Sequence, residues 1–176
     1  STYMATKIGG GMDFLASSGA ISDGTASVIF NQFDASKYDM YKIFMMSVVP
    51  VSDNVIFGAV LSADGTNYDT TNGNYHNGGS TDGTSLKIVS GVGGASGELL
   101  GVSGEVNLFD ITSTAKHTAI RSDGANQHYD DPNYQNDFKS QAFYVASTAA
   151  HSAIKLLFSS GNIESGEITL FGIVNS

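Results

Sequence analysis

The chain has 176 residues, 41% of them aliphatic or aromatic, which suits one domain with a core large enough to need no metal or disulfide. Eight Lys and Arg against 17 Asp and Glu give a formal net charge of −9, which weighs against a nucleic-acid groove or an anionic membrane surface as partner. The absence of Cys removes disulfides, thiolate catalysis and zinc sites built on Cys pairs.

From the N-terminus, Ser1 to Gly24 is mostly polar and small, with Gly9 to Gly11 consecutive and a few apolar anchors at Ile8, Met12, Phe14 and Leu15. It has neither the basic start nor the apolar run of a signal peptide, and it reads as an N-terminal arm over residues 1–25. A single domain over 26–176 follows. Ala26 to Phe33, Met40 to Val51 and Asn54 to Ala63 are rich in Val, Ile, Phe and Tyr and separated by turn residues, which predicts three strands. In the second, Tyr41, Ile43 and Met45 alternate with Phe44, Met46 and Val48, so it is expected to be central and covered on both faces. Its apolar run is interrupted by Ser47 and Pro50 and falls short of the roughly 20 residues that span a bilayer. A soluble protein is expected.

Asn67 to Gly83 has no aliphatic residue and reads as a long surface loop. Ser85 to Val92 predicts a fourth strand, and a glycine-rich link leads to Ser103-Gly-Glu-Val-Asn-Leu-Phe-Asp-Ile111. That string returns as Ser165-Gly-Glu-Ile-Thr-Leu-Phe-Gly-Ile173, where Ile168, Leu170 and Gly172 would face one way and Glu167, Thr169, Phe171 and Ile173 the other. Between the copies, strands are predicted over Ala115 to Arg121, Phe138 to Ser147 and Ala153 to Ser159. Asn126 to Asp137 forms a second polar, aromatic loop, and no segment carries a sustained helical period. The sum is all-β: an antiparallel β-sandwich of jelly-roll type with about 8–10 strands, the two motif copies in equivalent positions of opposite sheets.

Motifs for catalysis are missing. Asp130 and Asp131 are adjacent beside Pro132 and read as turn formers rather than an acid–base pair. The Asp64 to Asp69 run has oxygen ligands suited to calcium but not the full ladder ending in Glu. His76, His117, His128 and His151 form no His-Glu-x-x-His pattern, and no Gly-x-Ser-x-Gly elbow occurs. No enzyme activity and no cofactor are expected. Loop tyrosines beside Asn, Asp and Gly suit recognition surfaces and sugar stacking, which makes Tyr75, His76, Tyr129 and Tyr134 the candidate ligand residues.

Asp34-Ala-Ser-Lys-Tyr-Asp-Met-Tyr-Lys-Ile43, the following Val-Val-Pro-Val-Ser-Asp, Leu-Ser-Ala-Asp-Gly-Thr-Asn-Tyr, and the ending Ala153 to Ile173 together resemble small structural proteins of marine tailed bacteriophages. The resemblance covers the chain from about Ala26 onward and is most distinctive in the C-terminal hairpin. It implies a virion location and a non-enzymatic role as a capsid decoration (cement) protein, with a tail-fibre or carbohydrate-binding host-recognition module as the alternative. Expected partners are other virion proteins, the major capsid or tail protein, within a homo-oligomer, and a host-surface glycan in the alternative reading. Ile8, Met12, Phe14, Leu15 and Phe171 are the candidate interface residues.

Overall fold

The computed structural model describes residues 11–78, 80–94, 100–131 and 133–174, with the side chains of 80–82 also outside the description. The strands are β1 (Met12–Ser17), β2 (Val28–Phe30), β3 (Tyr38–Pro50), β4 (Val55–Ser62), β5 (Tyr75–Asn77) and β6 (Ser80–Gly83). They continue as β7 (Leu86–Val92), β8 (Val102–Phe109), β9 (Ala119–Gln127), β10 (Gln135–Tyr144), β11 (Ala153–Phe158) and β12 (Ile163–Val174).

Eight of these strands pair first with last and inward: β1 with β12, β2 with β11, β3 with β8 and β4 with β7, all antiparallel. Pairing of β12 with β3 and of β11 with β4 joins them into the sheets β1-β12-β3-β8 and β2-β11-β4-β7. This is a long hairpin wound on itself, the jelly roll expected from the sequence. The hairpins β5-β6 and β9-β10 are insertions that extend the first sheet to eight strands, in the order β1-β12-β3-β8-β9-β10-β5-β6.

The twelve strands among the described residues exceed the 8–10 expected because β1, β5 and β6 are short and have little of the aliphatic alternation that marks a strand in sequence. Three local readings change with them. The arm placed over 1–25 is part of the sandwich from Met12 onward: β1 pairs with β12, and Ile21 and Thr25 form bridges to Gly166 and Ile163. Ile8 lies outside the described residues. Asn67 to Gly83 is no continuous loop, since β5 and β6 arise within it, and the strand predicted over Ala115 to Arg121 instead starts at Ala119 and runs on through Ser122-Asp-Gly-Ala as β9.

The core lies between the sheets and is filled from both, with Phe30, Ile43, Phe57, Leu61, Leu108, Ile154 and Leu170 all essentially inaccessible. On β12 the predicted alternation holds: Ile168, Leu170 and Gly172 are buried, while Glu167, Thr169, Phe171 and Ile173 lie on the outer face. On β3, Tyr41, Ile43 and Met45 point inward until a bulge at Met46 and Ser47, where Ser47 takes φ 47° and the strand is rephased so that Val48 again points inward. This strand is central, as expected, but covered on one face only. Its outer face leaves Met46 51% exposed.

Both motif copies lie in one sheet, β8 and β12 flanking β3, and not in opposite sheets. Their one clear divergence has a packing reason. A Cβ on Gly172 would lie 2.5 Å from the Tyr38 ring, whereas the matching Asp110 turns away from the strand at φ 56°.

Tyr68 tests the polar economy of this fold. Its hydroxyl is buried without a hydrogen-bond partner among the described residues, while the Lys155 ammonium sits 3.7 Å over its ring. Tyr68→Phe keeps the ring and removes the orphan group. It is expected to leave stability unchanged or raise it by about 1 kcal/mol, read as a shift of the urea midpoint at constant slope; a loss of that size would reveal a hydroxyl contact.

Candidate interaction surface

The eight-stranded sheet buries one face on the core and leaves the other open, and cross-strand register decides what that open face presents. One row runs Met12, Ile173, Met40, Phe109, Ala119, Phe143 and His76, from β1 to β5. Every member but the last is apolar. Met12 is 48% and Phe143 40% exposed, and the His76 and Phe143 rings pack at 5.2 Å.

The next row is Phe14, Phe171, Lys42, Asn107, Arg121 and Gln141, and the one after it contains Thr169, Phe44, Glu105, Asp123 and Lys139. Phe171 touches Phe14 edge-on at 5.7 Å and Phe44 at 5.5 Å, so three rings from three strands form a continuous step beside the apolar row. Phe14 is the most exposed, at 61%. Beyond the rings the face turns polar, with Lys42 paired to Glu105 at 3.0 Å and Lys139 to Asp123 at 3.7 Å.

Of the expected interface residues, Met12, Phe14 and Phe171 therefore share this face. Leu15 does not: a bulge between Phe14 and Ala16 turns it toward the core. Phe44, Met46, Met40, Phe109 and Phe143 belong to the surface but were not singled out by the sequence. The available signal was the two-sided apolar pattern of β3, read as full burial.

The expected ligand residues are not gathered. Tyr75 is 0% exposed, its hydroxyl donating to the Asp69 carbonyl at 2.7 Å and accepting from the Leu61 amide at 3.1 Å. Burial pushes its hydroxyl pKa up, and it is a core residue unable to stack on a sugar. His76 sits at one end of the sheet against Phe143. Tyr129 and Tyr134 sit in the turn between β9 and β10 at the other, about 30 Å away at about 3.3 Å per strand residue. There His128 stacks on Tyr129 at 4.6 Å and meets Tyr134, 55% exposed, at 6.3 Å. Only these two of the four share one aromatic cluster.

The acidic loops spend their oxygens on backbone and side-chain donors of the protein itself. Asp64 accepts from Ser62, Thr66 and Asn67, bonds that hold its carboxyl well below the usual range despite a small opposing desolvation. Asp69 accepts from Tyr144, Asn74 and Thr71; burial raises its pKa, but these bonds outweigh it and bring the value to about 2. Asp130 and Asp131 are both exposed, Asp131 capping the Asn133 amide at 2.8 Å. Among the described residues no three His, Asp or Glu side chains converge as a metal site. His117, expected in a strand, is exposed in the loop that precedes β9, and His151 is the buried histidine.

The class defined by fold and surface is an all-β sandwich whose most developed feature is an apolar, aromatic outer sheet face. The chain matches no protein-family model, no curated protein and no solved structure.

Proposed function

We propose that this protein is a non-enzymatic structural component of a phage virion surface, a capsid decoration protein docked through the outer face of its eight-stranded sheet. The observation that carries this reading is the apolar row from Met12 to Phe143, stepped up by Phe14, Phe171 and Phe44. An aromatic and methionine-rich patch with a charged rim is the composition of a docking surface, and leaving it in water invites aggregation. The resemblance of the chain to virion proteins of marine tailed phages supports the same role. The occupant is another virion protein, the major capsid protein in this reading. The edge of β1, which ends the sheet among the described residues and is continuous with the patch, is covered in the same assembly, in which copies of this chain form a homo-oligomer.

The test uses particles stripped of the protein and rebound with purified variants. Phe14→Ser with Phe143→Ser is expected to weaken rebinding at least about tenfold while leaving the melting temperature within a few degrees, because neither ring is in the core. Unweakened rebinding would remove the docking face from the proposal.

The alternative is a tail-fibre or host-recognition module, favoured by the exposed Tyr134 beside His128 and Tyr129. Glycan binding abolished by Tyr129→Ala and Tyr134→Ala would select it.

A further inference from the structure

The cations of this acidic chain are nearly all spoken for. Lys37, Lys42, Lys116 and Lys139 pair with carboxylates, and Lys155 lies over Tyr68. Lys7 is outside the described residues. The remaining two, Lys87 and Arg121, have no ion pair, side-chain hydrogen bond or ring contact among the described residues, and both line the same depression.

That depression, of about 440 Å³, is completed by Lys139, Gln141, Ser140, Asn77 and Gly78. It forms where β5 stops. Beyond the Gly78 amide, which donates to the Gln141 carbonyl at 3.1 Å, the rest of β10 runs on without β5 beside it. β7, from the other sheet, comes up beneath that notch.

Its walls are fixed by hydrogen bonds. The Asn77 side chain donates to the Ser85 carbonyl at 3.0 Å and accepts from the Lys87 amide at 2.7 Å, tying the start of β7 to β5. The Ser140 hydroxyl donates to the Ile88 carbonyl at 2.6 Å, tying β7 to β10. Arg121 stands in register between Asn107 and Gln141 on the outer face, one row from Lys139. Lys139 shares its charge with Asp123 at 3.7 Å, an exposed pair that water screens. Three cations held together in a protein of net charge −9 gain most from a compact anion, and a guanidinium with two ammonium groups suits a tetrahedral oxyanion.

We propose that the notch formed by Lys87, Arg121 and Lys139 is a binding site for a sulfate or phosphate group, free or as the ester of an acidic glycan. The volume exceeds one oxyanion and leaves room for the sugar unit that would bear it. This site borders the Phe143 and His76 end of the apolar row, is lined by none of that row's residues, and does not depend on the docking role.

The test is titration of the isotopically labelled full chain, followed by amide NMR at low salt, with inorganic sulfate, a sulfated oligosaccharide and its desulfated counterpart. Expected are saturable shifts confined to residues around 77–78, 87–88, 121 and 139–141, with the sulfated sugar and with sulfate but not with the desulfated sugar. Tighter binding of the sugar than of inorganic sulfate assigns the ester as the ligand; equal binding assigns the free anion. Arg121→Gln and Lys87→Gln are each expected to weaken binding at least about fivefold, and added salt to weaken it further. Lys116→Gln, remote from the notch, should have no effect. The proposal is overturned by an absence of saturable shifts, by shifts spread over all lysines, or by Arg121→Gln binding as the parent does while its spectrum shows it folded.

Discussion

Gly124→Ala is expected to destabilise the protein by about 3 kcal/mol or more, a larger loss than an ordinary surface strand substitution produces. Gly124 pairs with Gly104 across β8 and β9, and a Cβ there would lie 2.3 Å from the Ser103 carbonyl, 2.8 Å from the Gly104 Cα and 2.9 Å from the Phe138 ring. Two of the three obstacles are backbone, which can yield only by separating the strands. Gly104 is equally committed: its φ of 154° and an approach of 2.3 Å to the Asp123 carbonyl leave no room for a side chain. The two glycines open the space that the Phe138 ring fills from β10. Adding Phe138→Ala to Gly124→Ala separates the contributions. If the backbone contacts dominate, the double variant recovers little; recovery to the level of Phe138→Ala alone would assign the strain to the ring. Urea unfolding of the four species reads this directly.

That glycine pair explains why part of the fold was legible in the sequence and part was not. Alternation on β12 sorted its residues correctly into two faces, since a period of two follows from strand geometry alone, whereas on β3 apolar residues on both faces were read as covered on both sides and only one face is. The jelly-roll class followed from many short strands without helices. Asp123-Gly124, by contrast, has the composition of a turn, and only its partner Gly104 and the Phe138 ring make it a strand interior. Tyr75 was misread for a related reason: a tyrosine among Asn and Gly looks exposed until the partners of its hydroxyl, the accepting Asp69 carbonyl and the donating Leu61 amide, are brought to it by folding. The outer apolar row is the least legible feature. Its members come from six strands, and only register aligns them.

Asp69 carries the second large effect. Its carboxylate accepts the Tyr144 hydroxyl and the Asn74 amide, each at 2.7 Å, and the Thr71 amide at 2.8 Å, so that one side chain anchors the loop leading to β5 and the end of β10. Asp69→Ala leaves the Tyr144 hydroxyl, on a residue 8% exposed, without its acceptor, and a loss of about 2–3 kcal/mol is expected. The same cluster sets the acid response. Burial, along with the Asp69 carboxylate, raises the Tyr144 hydroxyl to about 12, so it stays a donor throughout. His151 packs edge-on to Tyr144 at 4.9 Å and meets the Thr118 hydroxyl at 2.9 Å; burial lowers its pKa below 6.5, against an opposing pull from Asp69. A depressed folded pKa means that the unfolded chain binds the proton more readily, so stability from His151 is full above about pH 6.5 and falls as the solution is acidified below it. Stability from Asp69 is full above about pH 4 and is lost as pH falls toward the folded value of about 2. Unfolding free energy should thus fall in two stages from pH 7 to pH 2. His151→Gln is expected to flatten the first stage, and Asp69→Asn to reduce the second without abolishing it, because Asp64 and Asp34 are also held below their ordinary values. A His151→Gln variant that lost stability between pH 7 and pH 5 as steeply as the parent would move the first stage elsewhere in the protein.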